Sequence, residues 1–357
     1  MTAMGAPSAG PENKHVAGLD TVRFICATWV LFGHFGFLPL PDGIDRLPHV
    51  GRIARVFVGN LFSGPAAVIV FFLVSGFCIH YPYRHGRLPA MKPFYARRYV
   101  RILIPMAVAI ALGVPLELGL TNLNESILWS LLCEEIYYLL YPLVLVRLRR
   151  HMSFRPMIAV AFVLALGVAL TNPRAGNYAS YGAGLNWLLG LPCWLLGCEL
   201  ADSVSTLRAP SIGRLWTYRL GIWGLSAICS LLRFHSPLRY PWTLNWFALA
   251  AFFWLGAEIA YQERHGSIVA LERAGKWSYA LYLTHLHGHY LFLALAARFL
   301  AFGLPHLTPM LHWLFAMTFT YLLAYAFYRA VEKPAHELAR RVAQRMRERT
   351  PIAVSAE

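Results

Sequence analysis

The sequence predicts an all-α, polytopic membrane protein, and three observations carry that prediction. The 357-residue chain is 58% hydrophobic and only 14% charged, against about 45–50% and about 25% in soluble domains. Its apolar residues gather in runs close to the roughly 20 residues that a bilayer-spanning helix needs. Its basic residues sit in short clusters between those runs, so the formal net charge of +15 reports topology. A nucleic-acid partner requires one continuous basic patch, and none is evident.

Ten spans are expected, at about 19–38, 65–82, 100–118, 127–146, 156–171, 182–201, 216–232, 242–260, 277–300 and 309–328. Prolines punctuate the gaps, as at Pro39, Pro41, Pro82, Pro89, Pro93, Pro173, Pro210, Pro237 and Pro305. The first 17 residues are polar and rich in Gly, Ala and Pro. They lack the charged start and cleavage site of a signal peptide, so the first apolar run is expected to stay as a signal-anchor helix. With that N-terminus inside, 25 Lys and Arg fall on the inner side and 7 on the outer. This split predicts that both termini are cytoplasmic. The chain then divides into a cytoplasmic N-terminal tail (1–17), a transmembrane domain (18–335) and a basic cytoplasmic C-terminal tail (336–357). For that last tail, a helix lying on the anionic inner leaflet and a merely solvated segment are both open.

All six cysteines fall inside expected spans: Cys26, Cys78, Cys133, Cys193, Cys198 and Cys229. No CxxC occurs, and residues five apart do not share a helix face. They are expected to be apolar fillers, with no disulfide and no metal site.

An ionisable group inside the bilayer costs about 2.5–3.5 kcal/mol on insertion scales, which makes intramembrane polar residues candidates for function. In the opening span, LDTVRFICATWVLFGHF, Arg23 and His34 are eleven residues apart. That spacing puts them on one helix face with a rise of about 16 Å. Asp20, one turn before Arg23, is placed to pair with it. A snorkelling charge for Arg23 and an interhelical hydrogen bond for His34 are the plainer alternatives.

Glu134 and Glu135 are adjacent in WSLLCEEIYYLLYP, about 100° apart around the helix, and so suit different roles. Glu134 is expected at the depth of His34. There a carboxylate would fix the tautomer of the imidazole and make it a general base. A structural ion pair or a proton path is the alternative.

The loop and helix start RHGRLPAMKPFYARRYVRILIP carries Arg97, Arg98 and Arg101. Arginine forks near a helix N-terminus bind phosphate well, although inner-side loops are basic in any case. In WSYALYLTHLHGHY, His285, His287 and His289 are spaced by two, a poor zinc arrangement. His285 is expected to line the same cavity as His34, and His287 and His289 to be structural or interfacial.

These segments, in this order, resemble the acyltransferase-3 family of integral membrane acyltransferases. Arg23 and His34 match the spacing in its "LDGLRAIAALxVVxxH" signature. FFLVSGF (71–77) is similar to its "FFVLSGF", and FYARRYVRILIP (94–105) to the segment around its cytoplasmic RxxR. WSLLCEEIYYLLYP (129–142) aligns without gaps to "WSLSVEEQFYLLFP". WSYALYLTHLH (277–287) and VEKP (331–334) resemble its "SYSLYLxH" and closing "ERP". The match covers about residues 17–340. Departures are Cys133 for Val, Ile136 for Gln, and Lys for Arg in VEKP. The esterase-like SGNH domain of some members has no counterpart in the sequence.

The resemblance implies an acyl-CoA donor, usually acetyl-CoA, with no metal. It also implies transfer to a hydroxyl of a glycan, a lipid-linked sugar or a small molecule. Arg23 and His34 match the family's essential pair, Arg98 and Arg101 its proposed donor-phosphate site, and Glu134 its first glutamate. The expected chemistry places CoA phosphates on Arg98 and Arg101 and threads the pantetheine arm between helices to His34. His34, oriented by Glu134 or Glu135, then deprotonates the acceptor. A short-lived acyl-histidine is the other route. A proton-coupled transporter or a flippase of an envelope precursor is the competing class, and inverted repeats or broken helices would favour it. Neither is evident. The longest outer loop (39–64) is expected to help select the acceptor.

Overall fold

A computed structural model describes residues 16–40, 48–86, 88–123, 126–301 and 308–348. Most of the expected N-terminal tail, the middle of the loop 39–64, Arg87 and the last nine residues lie outside it. Among the described residues the secondary structure is helical, with no strand.

In chain order the helices are α1 (Leu19–Phe35), α2 (Pro48–Asn60), α3 (Gly64–His80), α4 (Met91–Gly113) and α5 (Trp129–Leu140). There follow the short α6 (Val146–Leu148), α7 (Phe154–Thr171), α8 (Gly182–Ser203), α9 (Ile212–His235) and α10 (Tyr240–His265). The chain ends with α11 (Val269–Gly275), α12 (Ser278–Ala301), α13 (Pro309–Phe327) and α14 (Lys333–Glu348).

Seven helical stretches among the described residues are long and apolar enough to cross a membrane. They comprise α2 running into α3, α4, α7, α8, α9, α10, and α13 running into α14. Ten were expected. Of the other three, α1 has only 17 residues and α5 only 12. The apolar character of α12 is lowered by its own histidines. Lipid-facing surface is evident on α7, α10 and α13, where Val163, Phe253 and Leu322 are exposed although apolar.

The centre of the bundle is α3. It is apolar on all sides and buried almost along its length. Ser63 caps it by accepting from the Ala66 N–H, and Pro65 in its first turn needs no hydrogen bond. It packs most closely on α8, and glycines make that approach possible. A Cβ on Gly76 would fall onto the carbonyl of Trp194, and one on Gly197 onto the carbonyl of Leu73. The glycine of the FFLVSGF segment is therefore a packing residue, like the small residues at other membrane helix crossings.

The first helix is capped from a distance. Gly18, at φ +88°, turns the chain into α1. Glu272 of α11 accepts from the N–H groups of Gly18 and Thr21 and from the Thr21 hydroxyl, at 2.8–3.1 Å. This satisfies donors that a helix start leaves open. Gly275 lies against the Asp20 carbonyl, too close for a Cβ.

Two π turns, Tyr141–Leu145 and Tyr328–Glu332, follow α5 and α13. In the first, Pro142 has no N–H to give. The second hands α13 over to α14. The expected basic helix of the tail is present over Lys333–Glu348, and it is docked along α4, a contact the sequence did not predict. Ala335, Ala339 and Ala343, spaced by four, are buried in that contact. Small side chains on one face let the two backbones come close, which the charge count alone did not reveal.

Candidate active site

A cavity of about 570 Å³ lies between α1, α3, α4, α5, the start of α12, and α14. That volume is within the range of small-molecule sites, about 300–1,000 Å³. Its walls carry six basic residues, Arg23, Arg97, Arg98, Arg101, Lys276 and Arg340, against three acidic ones, Asp20, Glu134 and Glu332. The surplus of positive charge suits an anionic ligand.

One end of the cavity is arginine-rich. Arg97, Arg98 and Arg101 come from the second and third turns of α4, which starts at Met91 and not at the arginines, and 3.6 residues per turn set Arg97 and Arg101 one turn apart. Arg98 lies about 6 Å from the ring centroids of Phe94 and Tyr138, at 5.9 and 6.0 Å. The Arg101 Nε donates to His336 Nε2 at 2.8 Å, so that nitrogen holds a lone pair and His336 is in its Nδ1–H form. His336 and Glu332 are one turn apart, and the second Glu332 oxygen accepts from the Ala280 N–H at the start of α12, at 3.0 Å.

The middle holds Arg23 and Glu134. Arg23 pairs with Asp20 at 3.1 Å, as the spacing predicts, and its other nitrogen reaches Cys78 Sγ at 3.3 Å. Cys78 thus lines the cavity, and the expectation that all six cysteines are inert fillers is corrected here. Glu134 accepts from the Tyr138 hydroxyl at 2.9 Å, and that hydroxyl is also 2.9 Å from Ser75 Oγ. Glu135 does point elsewhere. Its carboxylate is buried outside the cavity and has no hydrogen-bond partner among the described residues.

Phe71, Phe72, Ser130, Leu131 and Tyr282 also line the cavity. The Tyr282 ring is held in place, its hydroxyl 2.8 Å from Ser130 Oγ and donating to the Ile127 carbonyl at 2.6 Å. One turn further along α12 comes His285, its ring 6.0 Å from that of Tyr282. His34 is here, 5.1 Å from the His285 ring and exposed.

The structure therefore brings Arg23, Glu134, Arg97, Arg98 and Arg101 to one cavity, and His34 is not among its wall residues. The expected meeting of His34 with Glu134 does not occur. His285 is the neighbour of His34 and is not a wall of the cavity. It is buried, donates through Nδ1 to the Tyr282 carbonyl at 2.7 Å, and leaves Nε2 without a partner among the described residues. His287 bonds the Ala109 carbonyl at 2.8 Å, and His289 stacks on Phe35 with centroids 3.7 Å apart.

Several wall residues were not foreseen: Ser75, Ser130, Tyr138, Tyr282, Glu332, His336 and Arg340. Some had a signal. Tyr138 is four residues after Glu134, and Glu332 belongs to VEKP. Glu332, His336 and Arg340 recur every four residues and so form one stripe on a helix. Among the described residues, no three His, Cys, Asp or Glu side chains gather in a way that would hold a metal ion.

A family profile described as an acyltransferase domain, the acyltransferase-3 type, matches residues 16–329. Comparison with curated proteins and with solved structures gives no match.

Proposed function

Since the chain belongs to the acyltransferase-3 family, we propose that it is a membrane-embedded O-acyltransferase fed by acyl-CoA, acetyl-CoA in the simplest case, from the cytoplasmic side. The acceptor is a hydroxyl of a glycan, a lipid-linked sugar or a small molecule. Both termini and the basic connector before α4 then face the cytoplasm of a bacterial-type inner membrane.

One observation carries this proposal. One cavity is lined by Arg97, Arg98, Arg101, Arg23, Glu134 and Tyr282, and the His285 ring stands 6.0 Å from that of Tyr282 and 5.1 Å from that of His34. The CoA phosphates sit on the arginines, where planar forks bind phosphate through paired N–H groups. The pantetheine arm follows the cavity, and the thioester reaches the Phe71–Tyr282 end. His34 takes the proton of the acceptor hydroxyl. The acceptor oxygen attacks the thioester carbonyl, the C–S bond breaks, and the CoA thiolate leaves. The proton on His34 passes to that thiolate or to water. Glu134 offsets part of the charge of Arg23 on the cavity wall.

The test is transfer of label from [14C]acetyl-CoA in membranes carrying wild-type protein or the Arg98→Ala/Arg101→Ala variant. Wild-type transfer with loss in the variant supports the proposal. Equal transfer by both, or no CoA-dependent transfer at all, refutes it.

A further inference from the structure

Helix α14 begins beyond residue 329, where the match to the family profile ends, yet it forms one wall of the cavity. Glu332, the last residue of the π turn before it, and His336 and Arg340 on the helix itself recur at intervals of four, and all three line the cavity. Their buried neighbours Ala335 and Ala339 lock the stripe against α4. The three residues have graded positions. Glu332 is buried and caps α12. His336 is partly buried and holds the Nε of Arg101. Arg340 is exposed at the rim.

Arg97, Arg98 and Arg340 line this same end, and none has a carboxylate within ion-pair distance among the described residues. Guanidinium groups gathered without counter-charge repel one another, and a polyanion relieves that repulsion. Acyl-CoA carries its anionic groups in a fixed order from the thioester outward: first the pyrophosphate, then the ribose 3′-phosphate. A ligand that enters thioester first leaves the 3′-phosphate nearest the rim.

We propose that α14 completes the donor site of this chain, with Arg340 binding the ribose 3′-phosphate of acyl-CoA while Arg98 and Arg101 hold the pyrophosphate. His336 is a positioning residue that orients Arg101 through its Nε and leaves the Nη edge for the ligand. The inference rests on the acyl-CoA donor proposed above. A phosphate from an anionic lipid headgroup has the same chemistry, and the test separates the two sources.

Full-length protein in phosphatidylcholine nanodiscs is titrated with CoA and with dephospho-CoA, which lacks only the 3′-phosphate. Wild-type protein binds CoA more tightly. In Arg340→Gln, CoA affinity falls by roughly 10- to 100-fold, the scale of one charge-assisted contact, while dephospho-CoA affinity is nearly unchanged. Arg340→Lys recovers part of the loss, and Arg341→Gln, one position along the same exposed helix, binds as wild type. Equal loss for both ligands in Arg340→Gln, or no loss for either, overturns the assignment and leaves the donor reading intact. Wild-type protein that binds neither ligand overturns both. In nanodiscs containing phosphatidylglycerol, unchanged CoA affinity supports the assignment. Competition by that lipid in wild type but not in Arg340→Gln overturns it in favour of a lipid phosphate.

Discussion

Replacing His34 by alanine separates catalysis from stability. The side chain is exposed, and its ring contacts are His285 at 5.1 Å and Phe35 at 6.1 Å between centroids. No hydrogen bond reaches it among the described residues. Its removal is therefore a surface change, worth on the order of 0.5 kcal/mol or less, and alanine is the better helix former. As general base, the same ring is responsible for about 10²- to 10⁴-fold in rate. At 1.36 kcal/mol per decade this is about 2.7–5.5 kcal/mol of transition-state stabilisation. The expected outcome is an unchanged Tm in detergent together with acyl transfer reduced at least a hundredfold. Thermal unfolding of the purified variant and label transfer from acetyl-CoA in membranes measure the two quantities. Transfer within threefold of wild type at normal protein levels refutes the role of His34. A large fall in Tm refutes the claim that the ring bears no structural load.

The close crossing of α3 and α8 gives a stability prediction. Gly76→Ala forces a methyl group onto the Trp194 carbonyl and should cost at least about 1–3 kcal/mol, seen as a lower Tm. Gly167→Ala, in α7 with open space around it, should be neutral or stabilise by up to about 1 kcal/mol. The reverse order would show that the crossing is not tightly packed. Glu272→Ala removes three hydrogen bonds at the start of α1 and should destabilise by about 1–3 kcal/mol. Glu272→Gln keeps an acceptor and should cost less in the same unfolding assay. Reporter fusions in the connector near Arg84 and after Glu348 should both report the cytoplasm, and a periplasmic signal at either position sinks the proposed orientation. Raising salt should weaken CoA binding to the wild-type protein more steeply than to Arg98→Ala/Arg101→Ala, because fewer charges then act on the phosphates.

Much of the site was legible because its residues stand out locally. Arg23, Glu134 and the arginines of α4 are ionisable groups in or beside apolar runs, and helical spacing predicts the Asp20–Arg23 pair from the sequence alone. Other features had no such mark. Cys78 looks like any small apolar residue of a span until the guanidinium of Arg23 is found at 3.3 Å. Ser130 and Tyr282 belong to helices 152 residues apart and meet at 2.8 Å, a relation that no periodicity contains. His34 and Glu134 show the opposite failure. Equal depth is a statement about two separate helices, and contact also depends on how each is rotated and on what stands between them.

Hydrophobic run length, charge asymmetry and motif order are properties of neighbouring residues. The amino-acid sequence thus suffices for the all-helical membrane class, the family and the basic end of the cavity. Helix rotation and pairing are set by packing between distant segments. That packing decided that His285 sits beside His34 and that α14 lies along α4 as a cavity wall. The alanine stripe and the paired glycines let backbones close to van der Waals contact, and only in that closed bundle do the charged side chains find their neighbours.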